Sequence, residues 1–179
     1  MQSVSRSRRR LIATAAGVAS IAAIAIPVSS AAGSGRAAAS APPCSNVGTV
    51  AWLNTNSNAG AGSVFFKLQF TNLSGRRCTL RGFPGVSAVD TQGHQLGRAA
   101  SRDTGTPVRS ITISNGVTAR AALRIVQVGN FPSSTCRPVT AAGLRVFPPN
   151  QSGAKFIPFP FRACSRSGPV YLSVKAVTH

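Results

Sequence analysis

Acid–base chemistry in this chain would have to come from four side chains. The 179 residues include 2 acids, Asp90 and Asp103, and 2 histidines, His94 and His179. Asp90 and His94 stand four apart across Thr91-Gln92-Gly93, a hairpin-like turn. At that spacing a carboxylate can orient an imidazole, and a nearby serine would complete a small hydrolase. No Gly-x-Ser-x-Gly segment offers that serine. Asp and Gly in a turn more often serve backbone geometry. His179 stands at the end of the chain, where fraying is expected. We therefore expect no enzyme.

Metal and cofactor chemistry is equally thin. There is no CxxC spacing, and neither histidine is near a cysteine in sequence, so no zinc site is expected. Met1 is the single methionine, which excludes a Met-based copper site. No GxxxxGK[ST] loop occurs. No cofactor is expected.

Arginine is what the chain has in quantity. Lys plus Arg number 20 against the 2 acids. Arg76, Arg77 and Arg81 flank Cys78, and Arg98 and Arg102 follow the next turn. Arg120 and Arg124 are spaced to share one strand face, and Arg162 and Arg166 flank Cys164. Guanidinium groups grip phosphate and carboxylate bidentately, so these nine are the candidate anion-binding residues.

The N-terminal residues read as a targeting segment. Arg6, Arg8, Arg9 and Arg10 precede an uncharged Ala-rich stretch, Leu11 to Val28, and then Ser29-Ser30-Ala31-Ala32-Gly33. That order fits a cleaved signal peptide over 1–32 better than a retained membrane anchor, because alanine is weakly apolar and the small residues suit a peptidase. Ser7-Arg8-Arg9-Arg10-Leu11-Ile12 resembles a twin-arginine signal, and both export routes stay open. Cys44 lacks the Leu-small-small context of a lipidated cysteine. Cleavage removes four cations and leaves 16 basic residues against 2 acids, or +14. The mature chain is expected outside the cytoplasm, secreted or envelope-associated, and not membrane-spanning.

Residues 33–43 are small and polar and end in proline, as a flexible linker does. Residues 44–179 then form one domain. It holds Cys44, Cys78, Cys136 and Cys164, an even count that reads as two disulfides in an exported chain. Of three connectivities, Cys44–Cys78 with Cys136–Cys164 ties each half to itself and is favoured. Each bridge would contribute roughly 3–4 kcal/mol in the chain-entropy model.

The elements positioning these residues repeat with period two. In Val64 to Phe70 the even positions are apolar while Lys67 and Gln69 face out. Val117, Ala119, Ala121, Leu123 and Ile125 alternate with polar residues, as do Val170, Leu172, Val174 and Ala176 with Tyr171, Ser173 and Lys175. Shorter strands fit Val47–Leu53, Gly85–Asp90, Ile111–Ile113, Leu144–Phe147 and Phe156–Phe161. A three-residue loop, Ser114 to Gly116, would make a hairpin pairing Ile113 with Val117 and Ile111 with Ala119. No helix is expected after residue 43. Trp52 reads as a core or rim aromatic. About eight strands and two disulfides predict an all-β fold, an antiparallel β-sandwich of immunoglobulin-like type, with a closed barrel as the alternative.

Two blocks carry a resemblance: Leu68-Gln69-Phe70-Thr71-Asn72, and Arg77-Cys78-Thr79-Leu80-Arg81-Gly82-Phe83-Pro84-Gly85-Val86. Together with Cys136-Arg137-Pro138, Gly143-Leu144-Arg145-Val146 and Cys164, they resemble an actinobacterial exported family known as domain of unknown function 4232. That family's usual turn before the long strand is Pro-Gly, where this chain has Asn115-Gly116. The resemblance implies an exported sandwich-like domain and no activity. With the charge, it leads to an expected non-enzymatic envelope or extracellular role. The expected partners are anionic wall polymers, lipid headgroups or a protein, met through an Arg-rich surface. Stacking aromatics are not evident beside the Arg pairs, so no specific nucleic acid is expected. A protein-interaction or inhibitor module with incidental charge is the other non-enzymatic alternative.

Overall fold

The computed structural model describes residues 40–179, so the signal expected at 1–32 and the linker as far as residue 39 lie outside the described residues. Alternate side chains of an extended chain point to opposite faces, and the period-two segments become strands for that reason. In chain order these are β1 (Thr49–Gly60), β2 (Ser63–Asn72), β3 (Cys78–Arg81), β4 (Gly85–Val89), β5 (Gln95–Leu96), β6 (Ser101–Asp103), β7 (Ser110–Ile113), β8 (Thr118–Val126), β9 (Pro138–Phe147), β10 (Lys155–Cys164) and β11 (Leu172–Lys175). A 3-10 turn at Val128–Asn130 and one helical turn, α1 (Ser133–Cys136), interrupt them.

The strands form a five-stranded sheet in the order β1-β2-β8-β11-β6, a four-stranded sheet in the order β10-β9-β4-β5, and a β3-β7 pair. Every ladder is antiparallel except β11 with β6. Inner residues of all three sheets share one core: Leu68, Phe70 and Leu123 from the first, Val86, Leu144 and Val146 from the second, Leu80 and Ile113 from the pair. Each such side chain contributes roughly 1.5–3 kcal/mol on burial. The result is the expected sandwich, not a barrel. Its arrangement is compatible with an immunoglobulin-like one, although Trp52 is 42% exposed and does not pack on a disulfide as in antibody domains.

Both disulfides join the expected partners, Cys44 to Cys78 and Cys136 to Cys164. The first ties the segment before β1 onto β3. There Cys44 N–H donates to the Thr79 carbonyl (2.9 Å), and Thr79 N–H donates to that of Pro42 (2.8 Å). The second joins the end of α1 to the end of β10.

Several local expectations are corrected. β7 and β8 form no hairpin: β7 pairs with β3, while β8 pairs with β2 and β11. The turn at Ser114 to Val117 instead carries the chain from one sheet to the other. Its closing bond runs from Val117 N–H to the Ser114 carbonyl (3.0 Å), and Gly116 takes the positive φ of 78°. Val117 is consequently exposed and not paired with Ile113. Gln69 does not face water; flanked in register by Trp52 and Arg120, it is 6% exposed. The last strand, β11, begins at Leu172; just before it Tyr171 is buried and Val170 exposed, and the Tyr171 hydroxyl donates to the Leu96 carbonyl (3.0 Å) within the fold. Among the described residues the strands number eleven, a few of them too short to read from the sequence, and α1 is a short exception to the helix-free expectation.

Candidate functional site

Arg120 and Arg124 both lie on β8, the central strand of the five-stranded sheet, with buried Ala119, Ala121, Leu123 and Ile125 alternating between and beside them. Register sets their neighbours. Phe65 pairs with Arg124, Lys67 with Ala122, and Gln69 with Arg120 on one side. Across β2, Trp52 pairs with Gln69 and Asn54 with Lys67. On the other flank Ser173 pairs with Arg124, and Lys175, two residues on, is exposed. Four cations thus surround the small residue Ala122 on one flat outer face. From strand geometry, Lys67 and Lys175 stand about 10 Å apart at Cα, and Arg120 and Arg124 about 13 Å.

Polar contacts hold this face in shape. Arg124 Nε donates to Ser63 Oγ (2.9 Å). Trp52 Nε1 donates to Thr71 Oγ1 (3.1 Å), which in turn meets Thr118 Oγ1 at 2.8 Å. A single carboxylate borders it: Asp103 Oδ2 is 3.8 Å from Lys175 Nζ at the β6 edge. Trp52 and Phe65 are 42% and 40% exposed among the cations. This corrects the sequence reading that no stacking aromatic accompanies the Arg pairs. Phe65 is the register neighbour of Arg124, a relation that crosses 59 positions of chain and is invisible to local inspection.

Arg81 and Arg102 lie elsewhere, on the lining of one cleft. Arg81 ends β3, Arg102 lies on β6, and both line a cleft whose floor includes Phe83 and Phe147. The segment Arg81-Gly82-Phe83, with Gly85, forms one wall of it. These residues belong to the block that carries the family resemblance. The family model described as "Domain of unknown function (DUF4232)" matches residues 44–178.

The chain belongs to the DUF4232 family. No curated protein and no solved structure matches it.

The remaining candidate arginines of this DUF4232 domain are spread out. Arg76 and Arg77 sit on the β2–β3 loop and Arg98 on the β5–β6 loop, all exposed. Arg162 turns back on β9, donating to Thr140 Oγ1 and the Pro138 carbonyl (3.3 Å each). Arg166 Nη1 donates to the Ser134 carbonyl (2.9 Å), satisfying an orphan acceptor of α1. The pair flanking Cys164 therefore holds backbone in place. Sequence inspection passed over Arg145, which clamps the β4–β5 turn by donating to Gln95 Oε1 (3.0 Å) and the Gly93 carbonyl (3.5 Å).

The Asp90–His94 contact does form in the DUF4232 domain, with Asp90 Oδ2 3.2 Å from His94 Nδ1. The other oxygen, Oδ1, accepts N–H bonds from Gln92 (2.9 Å) and His94 (2.8 Å). Desolvation pushes the carboxyl up, but those backbone donors, the His94 ring and its charge outweigh it. Asp90 is held below its ordinary value of 3.8. The imidazole is 78% exposed. A groove of about 640 Å³ beside Asp90 is lined by Thr91 and by no serine. The turn's hydrogen bonds account for the carboxylate's place. Among the described residues, no group of three or more His, Cys, Asp or Glu is placed to hold a metal. Cys44, Cys78, Cys136 and Cys164 are all consumed in the disulfides. No helix among the described residues is long and apolar enough to cross a membrane.

Proposed function

We propose that this DUF4232 protein is exported and acts, without catalysis, by holding an anionic envelope polymer on the outer face of its five-stranded sheet. The observation that carries this is the grouping of Lys67, Arg120, Arg124 and Lys175 on one outer sheet face, where Asp103 is the one side-chain carboxylate shown in contact with them. Lys67, Arg120 and Arg124 enter neither of the two ion pairs among the described residues and retain their field for an outside partner, while Lys175 shares its charge with Asp103. Spacings of about 10 and 13 Å suit an extended polyanion, which contacts several cations in succession. Trp52 and Phe65 add apolar contact for the uncharged part of each repeat. Export is supported by the Arg-rich, Ala-rich leader and by the two disulfides, which persist in oxidising compartments.

The test is titration with a poly(glycerol phosphate) of teichoic type. The protein is expected to bind at low salt and to weaken steeply as salt rises. Exchanging Lys67, Arg120, Arg124 and Lys175 for glutamine should remove most of that binding. Unchanged binding in that variant would assign the adhesion to the general +14 charge. Nucleic acid should bind as any polyanion would, without sequence preference.

A protein partner is the second reading. It draws on Val50, Trp52 and Phe65, three exposed apolar residues on the strands bearing this face. A partner held through them would survive high salt and be lost on Trp52→Ala with Phe65→Ala.

A further inference from the structure

We propose that the cleft holding Arg81 and Arg102 is a binding site for a small amphiphilic oxyanion, a carboxylate or phosphate head on an apolar tail. The site goes beyond the sheet face and does not depend on it.

The cleft has a volume of about 820 Å³, within the usual range of small-molecule sites. Two arginines line it from different elements. Arg102 pairs in register with Val174, an inward residue, so from the edge strand β6 it is directed past the sheet edge toward the gap between sheets. Its guanidinium lies 5.7 Å over the Phe83 ring. That cation–π contact restrains the plane while leaving N–H edges for a ligand. Arg81 comes from the end of β3. No carboxylate lines the cleft, and the two ion pairs among the described residues engage His94 and Lys175 instead. A ligand's oxyanion would be their counter-charge.

The other walls are apolar: Phe83, Val108, Phe147 and Pro148. Inorganic phosphate would leave these surfaces wet, whereas an alkyl or aryl body would cover them. The walls are also built in advance. Gly82 takes a φ of 100°, open to glycine, and its carbonyl accepts the Val177 N–H (2.9 Å). Gly85 pairs in register with Phe147, which fixes β4 and β9 beside each other at this end of the cleft. Opposite, Gln151 N–H donates to the Pro148 carbonyl (3.1 Å) across a turn with Asn150 at φ 58°. Pro149 and Asn150 fill the positions such a turn demands. That turn sets Gln151 and Ser152, both neutral, on the rim.

The experiment uses the disulfide-bonded protein and four probes: octanoate, octyl phosphate, inorganic phosphate and octanol. Affinity is read by calorimetry and location by backbone amide shifts. At least one of the two amphiphilic anions should bind about tenfold or more tightly than phosphate or octanol. Shifts should centre on Gly82, Phe83, Gly85 and Gln151. The preferred head, carboxylate or phosphate, distinguishes a fatty acid from a phospholipid fragment as source. Arg81→Gln with Arg102→Gln should abolish the preference. So should Val108→Glu, which adds a carboxylate to the cleft and spares both arginines. Arg120→Gln with Arg124→Gln should leave it intact, even if polymer binding is lost. If neither octanoate nor octyl phosphate binds more tightly than inorganic phosphate, the proposal is overturned. Equal affinity for octanol, or shifts confined to the sheet face, would do the same.

Discussion

Tyr171 shows how one side chain couples the two sheets. It precedes β11, yet its hydroxyl donates to the Leu96 carbonyl on β5 of the other sheet. Burial pushes its pKa well above the usual 10, against a smaller lowering by a backbone bond at Cys164. Below pH 10 the phenol is neutral folded and unfolded alike, and its contribution is complete. Above pH 10 the unfolded phenol ionises while the folded one stays protonated, so stability falls with rising pH. It is the single tyrosine in the chain, so absorbance titration reads it directly. The native protein should show no phenolate until it unfolds. Tyr171→Phe should cost about 1–2 kcal/mol at neutral pH by leaving the Leu96 carbonyl unpaired, and should flatten the alkaline decline. Asp90 behaves in the opposite sense. Its folded value is depressed, so its contribution is present above 3.8 and disappears as pH falls through the depressed value. Asp90→Asn should lower the melting temperature at pH 6, and the gap from wild type should close toward pH 2. A gap that is constant with pH would show that the charge is idle.

At the scale of elements, Asn72 ends β2 and fixes the crossing between sheets. It is fully buried, and its Nδ2 donates to the carbonyls of Arg76 (2.7 Å) and Ile113 (3.0 Å). Its Oδ1 accepts from Ser74 N–H (3.0 Å) and Ser74 Oγ (2.7 Å). Its own carbonyl accepts the Gly116 N–H (2.6 Å). One amide thereby joins the β2–β3 loop to the end of β7 and the turn that follows. Asn72→Ala should cost about 2 kcal/mol, since the buried Ile113 carbonyl loses its donor while that of Arg76 keeps Ser74 Oγ. Equilibrium unfolding in urea checks this; a change below about 1 kcal/mol would show that water replaces the amide. The same crossing explains why the sequence misled on β7 and β8. Ile111, Ile113 and Ala119 alternate correctly for a hairpin, and consecutive strands are neighbours more often than not. Periodicity gives the buried face of a strand but not its partner. β5 and β6, of 2 and 3 residues, are too short to show any period.

For the whole molecule, the sandwich and both disulfides were legible because alternation, cysteine parity and loop length are local properties. The grouping of charge was only half legible. Arg120 and Arg124 announce a shared face by their spacing on one strand. Lys67 and Lys175 join them through pairings with β2 and β11, and Arg102 shares a cleft with Arg81 by way of a parallel edge strand; neither relation leaves a trace in spacing. Arg162 and Arg166 have the same spacing as Arg120 and Arg124, yet they bond to backbone carbonyls. The central claim is that the four cations of the sheet face bind a polyanion as a set. Its most direct test is the slope of log affinity for poly(glycerol phosphate) against log salt, which counts the cations engaged. Replacing Lys67, Arg120, Arg124 and Lys175 by glutamine should reduce that slope by about two to three, while replacing Arg76, Arg77, Arg98 and Arg166 should reduce it by less than about one. Equal reductions in the two variants would contradict it.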